Sequence, residues 1–164
     1  MNADKYLTLL ELQPHPEGGW YREVYRSAEQ HPARGNEFPS GRNFCTAIYF
    51  MITQGNFSAF HRIKSDETWH FYAGDALEVI EISKSGQIRN VLIGNDVEAG
   101  NYFQYTVAAG TWFASRVIDR GSFSLVGCTV SPGFDFRDFE MADRNALLKE
   151  FPEHNDIINQ LTRV

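Results

Sequence analysis

Cysteine is scarce in this chain of 164 residues, which contains only Cys45 and Cys128. The two lie far apart and neither belongs to a C-x-x-C pair, so nothing indicates a zinc knuckle or a redox dithiol. Long apolar runs are also missing, and no stretch approaches the roughly 20 residues that span a bilayer. Residues 1–5 begin no apolar signal core, so we expect a cytoplasmic protein without a membrane partner.

Positive charge is in deficit. The 15 Lys and Arg stand against 21 Asp and Glu, which gives a formal net charge of -6. Phosphate backbones attract basic surfaces, so we do not expect a nucleic-acid partner. Aromatic side chains, in contrast, are plentiful, with 13 Phe, 7 Tyr and 3 Trp. Such rings suit half-buried strands and ligand pockets, and the length suits one domain over residues 1–164.

The spacing of turn residues predicts a run of short strands across the middle of the chain. The strand candidates are 43–51, 57–63, 67–73, 76–82, 87–93, 102–107, 111–117 and 122–130. Because only a few residues separate consecutive strands, these strands can pair only as antiparallel neighbours. The pattern therefore predicts a mainly β protein built as a sandwich, barrel or jelly roll.

The segments outside this run have other patterns. Residues 3–12 place apolar side chains on one helical stripe and predict an N-terminal helix, and residues 20–27 predict a further strand. Residues 28–42 are rich in Pro, Gly and polar residues and predict a loop that serves as a lid or rim. Apolar residues around Leu147 and Ile158 predict two C-terminal helices that pack outside the sheet or cap the barrel.

The most informative segment is residues 55–74, which reads as a hairpin around a polar turn. Strand alternation places His61 on one face with Ala59 and Ile63, and places Glu67 on one face of the second strand. Both faces are largely apolar and should point inward. The sequence therefore predicts an imidazole and a carboxyl group inside the fold.

This segment resembles the first motif of the cupin superfamily. That motif runs Gly, five residues, His-x-His, three or four residues, Glu, six residues, Gly, and this chain supplies Gly55, His61, Glu67 and Gly74 at those spacings. Ile63 takes the place of the second histidine. In the second motif, Pro-x-Gly-x-x-His, Gly110 is kept and Phe113 replaces the metal-binding histidine.

Four blocks of sequence extend the resemblance over most of the chain. They are His15–Trp20 with Arg22-Glu23, Asp66–Phe71, Ala109–Trp112 and Ser131–Phe136. They are similar to a poorly characterised, sugar-epimerase-like (RmlC-like) branch of the cupins. The resemblance implies a double-stranded β-helix, the jelly-roll cupin barrel, with an N-terminal helix and C-terminal helices, and it leaves the activity open because one fold hosts many functions.

One hypothesis is acid–base chemistry in a metal-independent sugar epimerase or isomerase. Imidazole titrates near neutral pH, and a neighbouring carboxylate stabilises its charged form and fixes its tautomer. His61 would then remove a proton next to a carbonyl with Glu67 as its orienting partner, and the resemblance supports a histidine base. The reaction also needs an acid and an enolate donor, for which the first long strand offers Tyr25 and Arg22, with Glu23 beside them.

The second hypothesis is a binding module for a polar metabolite, without catalysis. Rings on predicted inward faces would stack on a sugar or other flat ligand, and nearby polar side chains would supply hydrogen bonds. The predicted ligand contacts of this kind are Trp69, Phe71, Phe113, Gln104, Ser115 and His70. For each single ring the alternative is an ordinary core residue.

The third hypothesis, a metal-dependent enzyme, has the weakest support from the sequence. Firm binding of a first-row ion usually needs three or more protein ligands, and the motifs retain only His61 and Glu67. His70 would join them only through a bulge, because its spacing from Glu67 puts it on the opposite face. We therefore expect no cofactor, with a weakly held divalent metal at His61 and Glu67 left open.

The expected partners are a small molecule and a second copy of the chain. The resemblance to sugar-epimerase-like cupins implies a sugar or sugar nucleotide as the small molecule. Residues 134–140 alternate aromatic and charged side chains, which predicts a last strand or a seam onto a partner subunit. Exposed alternating strands invite pairing and cupins commonly form dimers, so we expect a homodimer.

Overall fold

The structure is a computed structural model that describes residues 2–163, and β-strands make up most of its regular structure. Its helices are α1 (Ala3–Leu9), α2 (Arg144–Glu150) and α3 (Asn155–Gln160), with 3-10 turns at Phe136–Asp138 and Pro152–His154. Its strands are β1 (Gln13–Pro14), β2 (Trp20–Arg26), β3 (Gln30–His31), β4 (Arg42–Asn43), β5 (Thr46–Thr53), β6 (Phe57–Arg62), β7 (Asp66–Gly74), β8 (Leu77–Ile82), β9 (Ile88–Ile93), β10 (Gln104–Val107), β11 (Trp112–Val117), β12 (Phe123–Ser131) and β13 (Glu140–Met141).

The strands form two main antiparallel sheets. One has the order β1-β2-β5-β12-β7-β10 and the other the order β13-β6-β11-β8-β9. Strands that are distant in sequence lie side by side, as β5 and β12 do, which is the jelly-roll arrangement. The predicted mainly β jelly-roll fold with helices at both ends is confirmed.

Several predicted boundaries differ from the structure. The first strand of the central run begins at Thr46 instead of residue 43, and the predicted loop at 28–42 contains the short strand β3, which pairs with β4 at the end of the loop. The N-terminal helix ends at Leu9, before Glu11 adopts a positive φ of 52°. The predicted last strand at 134–140 is a 3-10 turn followed by β13, which pairs with β6 of its own chain.

Apolar side chains from both sheets meet between them. The buried set includes Phe50, Ile52, Trp69, Leu77, Val79, Ile93, Phe113 and Val126. Phe50 and Trp69 belong to the six-stranded sheet, and Leu77 and Phe113 to the five-stranded one. This shared core holds the two sheets face to face and leaves a cavity at one end of the space between them.

The helices cover the outer faces of the sheets. Leu147 and Phe151 of the α2 region and Ile158 of α3 pack on Phe60 and Ile80 of the five-stranded sheet. On the other sheet, α1 places Tyr6 and neighbouring apolar residues against Met51, Phe123 and Leu125. The C-terminal helices therefore lie outside the sheet, as predicted. Within residues 2–163, no helix combines the length and the apolar character needed to cross a membrane.

Candidate functional site

A cavity of about 370 Å³ opens at one end of the space between the two sheets. Its polar floor, its largely apolar walls and its charged mouth come from different elements. The floor contains His15, Glu17, His61, Glu67 and Cys128; the walls include Tyr21, Thr46, Ile48, Phe50, Ile63 and Val130; the mouth has Gln13, Glu23, Arg26, Phe134, Asp135 and Phe136. Ionisable groups enclosed among apolar walls are the usual composition of a small-molecule site.

A β-bulge in β6 aims His61 into this cavity. The pairing of β6 with β11 shifts so that Ser58 and His61, three residues apart, face neighbouring inward positions. Nδ1 of His61 lies 2.7 Å from the carbonyl oxygen of Ala59. A carbonyl only accepts, so Nδ1 carries the proton and Nε2 of the neutral ring keeps its lone pair. Burial lowers the pKa of His61, whose side chain is 2% exposed.

Glu17 faces the lone pair on Nε2 of His61. Its Oε2 lies 3.1 Å from Nε2 of His61, and its Oε1 accepts a hydrogen bond of 2.9 Å from the hydroxyl of Ser58. Two atoms with lone pairs at this distance need a proton between them, and burial, which raises the pKa of Glu17 and lowers that of His61, favours its position on the carboxyl group. One proton is thus shared between two buried groups.

The loop that carries Glu17 is fixed to β6. The amide of Ala59 donates to the carbonyl of Glu17 at 2.9 Å. The next residue, Gly18, has a φ of 114° and packs so closely on the carbonyl of Phe57 that a Cβ atom would collide with it. A side chain at Gly18 would therefore displace the loop that places Glu17 beneath His61.

Glu67 is the second carboxyl group of the floor. Burial and, to a smaller extent, the nearby Glu17 raise its pKa to about 7, against the opposing effects of His61 and the Cys128 thiol. A carboxyl group with this pKa exists in both protonation states near neutral pH. It can therefore give or accept a proton under ordinary conditions.

His15 closes the floor from the side of β1. Its Nδ1 accepts a hydrogen bond of 3.3 Å from the backbone amide of Glu17. Its ring meets the edge of Tyr21 at a centroid distance of 4.5 Å and stacks on Phe136 at 6.0 Å. Burial lowers the pKa of His15, which favours the neutral form of this imidazole as well.

Charged side chains at the mouth are paired with each other. The guanidinium of Arg26 binds Glu23 through Nε at 2.9 Å and through Nη2 at 2.6 Å. A register shift between Glu23 and Tyr25 in β2 brings Arg26 to the cavity side and leaves Tyr25 outside it. Asp135, farther round the mouth, is bound in the same two-pronged way by Arg137.

Three of the predicted site residues line the cavity, namely His61, Glu67 and Glu23. Tyr25, predicted as the acid, is 54% exposed and does not line the cavity. Arg22, predicted as the enolate donor, forms an exposed ion pair with Glu11 at 2.8 Å. The register shift in β2 explains the position of Tyr25, because strict alternation would have put Tyr25 on the same face as Glu23. Arg22 precedes the shift and faces away from the cavity by ordinary alternation with Glu23.

The remaining predicted contacts also lie away from the cavity. Trp69 and Phe113 are 1% exposed in the packed core, and Phe71 packs against that core. Ser115 is buried, whereas Gln104 is exposed on the edge strand β10. His70 faces the other side of β7, where Nε2 lies 3.1 Å from the hydroxyl of Thr129, as alternation predicts. Phe113 still touches the site, with its ring 4.1 Å from that of His61.

Sequence reasoning missed Glu17, His15 and Arg26 as site residues. Glu17 lies in a loop, where alternation gives no direction for a side chain. Its signal was its place in the block His15–Trp20, an acidic residue enclosed by Pro16 and two glycines. Arg26 was hidden by the register shift, which changes the facing of every residue that follows it.

The residues present do not fit the metal centre that the first cupin motif implies. Both ring nitrogens of His61 have protein partners, Ala59 on one side and Glu17 on the other. Ile63, which replaces the second histidine, lines the cavity with an apolar side chain. Within residues 2–163, no three His, Cys, Asp or Glu side chains are grouped to hold a metal ion.

Comparison with known proteins places the chain among cupins. The family model described as Cupin superfamily (DUF985) matches residues 4–142. A hypothetical protein from Leishmania major is 40% identical in its solved structure, with 100% of both chains covered and a TM-score of 0.92. Protein SO0799 from Shewanella oneidensis is also 40% identical, with 99% of this chain and 98% of that chain covered and a TM-score of 0.90.

More distant relatives are consistent with this fold. The uncharacterized protein YML079W of Saccharomyces cerevisiae is 28% identical over an alignment 139 residues long, which covers 78% of this chain and 69% of that protein. Oxalate decarboxylase from Bacillus subtilis is 13% identical with a TM-score of 0.55, and the match covers 90% of this chain and 36% of that one. At that identity the likeness to the decarboxylase concerns the fold alone.

Proposed function

This chain belongs to the cupin superfamily (DUF985), and we propose that it is an epimerase or isomerase that moves a proton next to a carbonyl group of a small, sugar-like metabolite. The observation that carries the proposal is the meeting of the Glu17–His61 pair and Glu67 on the floor of one enclosed cavity. Such a reaction needs one group that takes a proton and another that returns it.

His61 is the proposed proton acceptor, with Glu17 as its partner. The pair holds one proton between Oε2 and Nε2. In the proposed step this proton passes to Nε2 of His61 while the carboxyl group of Glu17 takes the proton from the substrate, which leaves a protonated carboxyl group beside an imidazolium. The bond from Nδ1 to the Ala59 carbonyl keeps the ring in one orientation and supports the charged form. The positive charge gained by the pair then stabilises the enolate that the substrate becomes.

Glu67 is the proposed second acid. Its pKa of about 7 means that the protonated form is available near neutral pH. It would return a proton to the enolate, a role that the sequence had offered to Tyr25. The apolar walls formed by Ile48, Phe50 and Val130 exclude water and strengthen these proton transfers.

The test is proton exchange with solvent. The purified protein in deuterium oxide is incubated with a panel of keto sugars, and NMR follows the loss of the hydrogen next to the carbonyl. We expect exchange for at least one sugar, abolished by His61→Asn and slowed by Glu67→Gln. His70→Asn is the matched control, because His70 lies on the other face of β7, bonded to Thr129.

Two results would overturn this proposal. One is the absence of exchange across the whole panel, and the other is exchange that continues unchanged in His61→Asn. Thermal unfolding of each variant shows whether a loss of exchange reflects the missing side chain or a missing fold. His61→Asn and His70→Asn must both unfold cooperatively for the comparison to count.

A second candidate function is ligand binding without catalysis. It is favoured by the full set of protein partners of His61, whose two ring nitrogens need no ligand. The rings of Tyr21, Phe50 and Phe136 along the cavity offer surfaces for stacking. This function predicts a ligand that stabilises the protein against heat, whose effect survives His61→Asn and is lost in Tyr21→Ala.

We also propose that the protein is a cytoplasmic homodimer. Residues 134–140, predicted as a seam onto a partner subunit, contact their own chain: Phe136 lines the cavity mouth, and β13, which begins at Glu140, pairs with β6. Large apolar side chains remain exposed on β2 and β7, among them Val24 and Tyr72. Sedimentation velocity at micromolar concentration tests the dimer, and a single species of 18.7 kDa would contradict it.

A further inference from the structure

We infer that the cavity accepts uncharged, hydroxyl-rich molecules of about one sugar ring and rejects phosphorylated and carboxylated ones, because the cation that lines it is already neutralised by its neighbour Glu23. This inference rests on the proposed function and narrows its substrate class. It separates free sugars from sugar phosphates and nucleotide sugars. Those compounds share the same ring chemistry and differ in charge.

Arg26 is the cation in question. Four of its five N–H groups have protein acceptors: one on Nε and one on Nη2 bind Glu23, and two on Nη1 bind the side chain of Asn43 and the carbonyl of Phe134. A phosphate at the mouth would have to displace a carboxylate tethered three residues away on the same strand. A tethered, two-pronged partner outcompetes a free anion.

Apart from Arg26, the described residues that line the cavity offer an anion no Lys or Arg side chain as a partner. Among residues 2–163, Arg26 is the only Lys or Arg side chain on the cavity wall. Asp135 presents a carboxylate at the mouth, and its partner Arg137 does not line the cavity and is itself held by that carboxylate. An anionic ligand would therefore lose its hydration without gaining a free cation, which costs binding free energy.

The floor suits hydroxyl groups instead. A neutral carboxyl group both donates and accepts hydrogen bonds, as does a sugar hydroxyl. Burial raises the pKa of Glu17 and of Glu67 and thus favours that neutral form. Apolar walls such as Ile48 and Val130 can contact the carbon face of a ring between these polar groups.

The size of the cavity points to a single ring. A volume of about 370 Å³ is near the lower end for small-molecule sites, which run from roughly 300 to 1,000 Å³. A nucleotide sugar carries a second ring system and two phosphates, and these would extend past Glu23 and Asp135 into solvent. Size and charge thus select against the same class of ligand.

The first experiment compares matched ligands by thermal shift and calorimetry. The probes are glucose and fructose, their 6-phosphates, and glucosamine. We expect an uncharged sugar to bind, and its phosphate to bind at least about tenfold more weakly, a difference of about 1.4 kcal/mol. Tighter binding of a phosphate or of glucosamine, or no response to either uncharged sugar, would overturn the inference.

The second experiment changes the charge of the mouth. Glu23→Gln removes the carboxylate that holds Arg26, so we expect the ratio of the binding constant of the sugar phosphate to that of the free sugar to increase by roughly tenfold. Glu11→Gln is the matched control, because it frees Arg22, which does not line the cavity. An equal gain in both variants, or no gain in Glu23→Gln, would contradict the assignment.

The two proposals fail in different ways. If a free sugar binds without exchanging its proton, the charge selection stands and the proton-transfer function does not. If sugar phosphates both bind and exchange better than the free sugars, the function stands and the charge selection is wrong. The ratio of the two binding constants therefore reports on this inference independently of catalysis.

Discussion

The space between the two sheets has an open end and a closed end, and the same strands build both. On β7, Glu67 lines the cavity while Trp69, two residues further on the same face, is packed in the core. On β12, Val130 lines the cavity while Val126 belongs to the core. Facing inward therefore does not by itself put a side chain in the site. Its position along the strand decides between contact with a ligand and contact with other side chains.

The two ends also differ in their polar groups. The floor of the cavity at the open end gathers two carboxyl groups, two imidazoles and a thiol, whereas the closed end is made of rings and branched aliphatic side chains. Burying ionisable groups costs stability, and a protein retains them where chemistry or binding requires them. The comparison predicts that substitutions at the closed end change stability and that those at the open end change pH dependence, reactivity and binding.

The largest expected effect is that of Trp69→Ala at the closed end. Trp69 is 1% exposed and meets the rings of Phe50 and Phe113 edge-on at 5.7 and 6.2 Å. Removing it should lower the free energy of unfolding by about 3–5 kcal/mol through lost packing and a new cavity. Urea denaturation measures this change. A loss below about 1 kcal/mol would mean that the end taken as closed is not closely packed.

Next in size is the pH-dependent effect of Glu67→Gln at the open end. Burial raises the pKa of Glu67 from 4.5 to about 7, so its contribution to the free energy of unfolding falls as the pH rises through this range. The shift corresponds to about 3 kcal/mol, so the variant should match the wild type near pH 4.5 and exceed it by about that amount above pH 7.

Urea denaturation at several pH values measures this difference. The exposed substitution Glu98→Gln is the control and should follow the wild type throughout. Taking the difference between variant and wild type removes the contribution of His15, whose lowered pKa acts in the opposite direction and does not depend on Glu67. A difference that stays constant between pH 4.5 and 8 would contradict the burial of an ionising Glu67.

A smaller effect concerns the two thiols. Cys128 is 2% exposed at the cavity floor, where burial and Glu67 raise its pKa, whereas Cys45 is partly exposed. Because the thiolate is the reactive form, iodoacetamide should modify Cys128 at least about tenfold more slowly than Cys45. Mass spectrometry of the native protein measures both rates, with Cys45→Ser as the control, and equal rates would place Cys128 in open contact with solvent.

The smallest expected effect on stability is that of Phe136→Ala at the mouth. Phe136 is 51% exposed, and its ring stacks on His15. Its removal should cost less than about 1 kcal/mol of unfolding free energy, because little apolar area leaves the core. It should weaken ligand binding more than it changes stability, which calorimetry shows. A larger loss of stability than that of Trp69→Ala would reverse the comparison.

The sequence predicted the fold well because alternation and turn residues are local signals. Alternation predicted that His61 and Glu67 face inward, and the structure puts both side chains in the cavity. The predicted hairpin was wrong, because β6 and β7 lie in different sheets and do not pair with each other. The strand boundaries followed from Gly, Asn and Asp at the turns. Local patterns of this kind fix which face of a strand is buried.

The rest of the site depends on features without a local signature. Glu17 arrives from a loop more than 40 residues before His61, and only the folded chain brings them together. The register shift in β2 exchanged Tyr25 for Arg26 at the mouth. Trp69 and Phe113 were correctly predicted to face inward, but the division between packed core and cavity depends on how both sheets meet.

Methyl NMR with a bound free sugar tests the central claim most directly. Ile48, Ile63 and Val130 report on the open end, whereas Leu77, Val79 and Val117 report on the closed end. We predict that adding the sugar shifts the methyl resonances of the first group, gives contacts between them and the sugar, and leaves the second group unchanged. Shifts in the second group alone, or no shifts in either group, would contradict a ligand site above Glu17, His61 and Glu67.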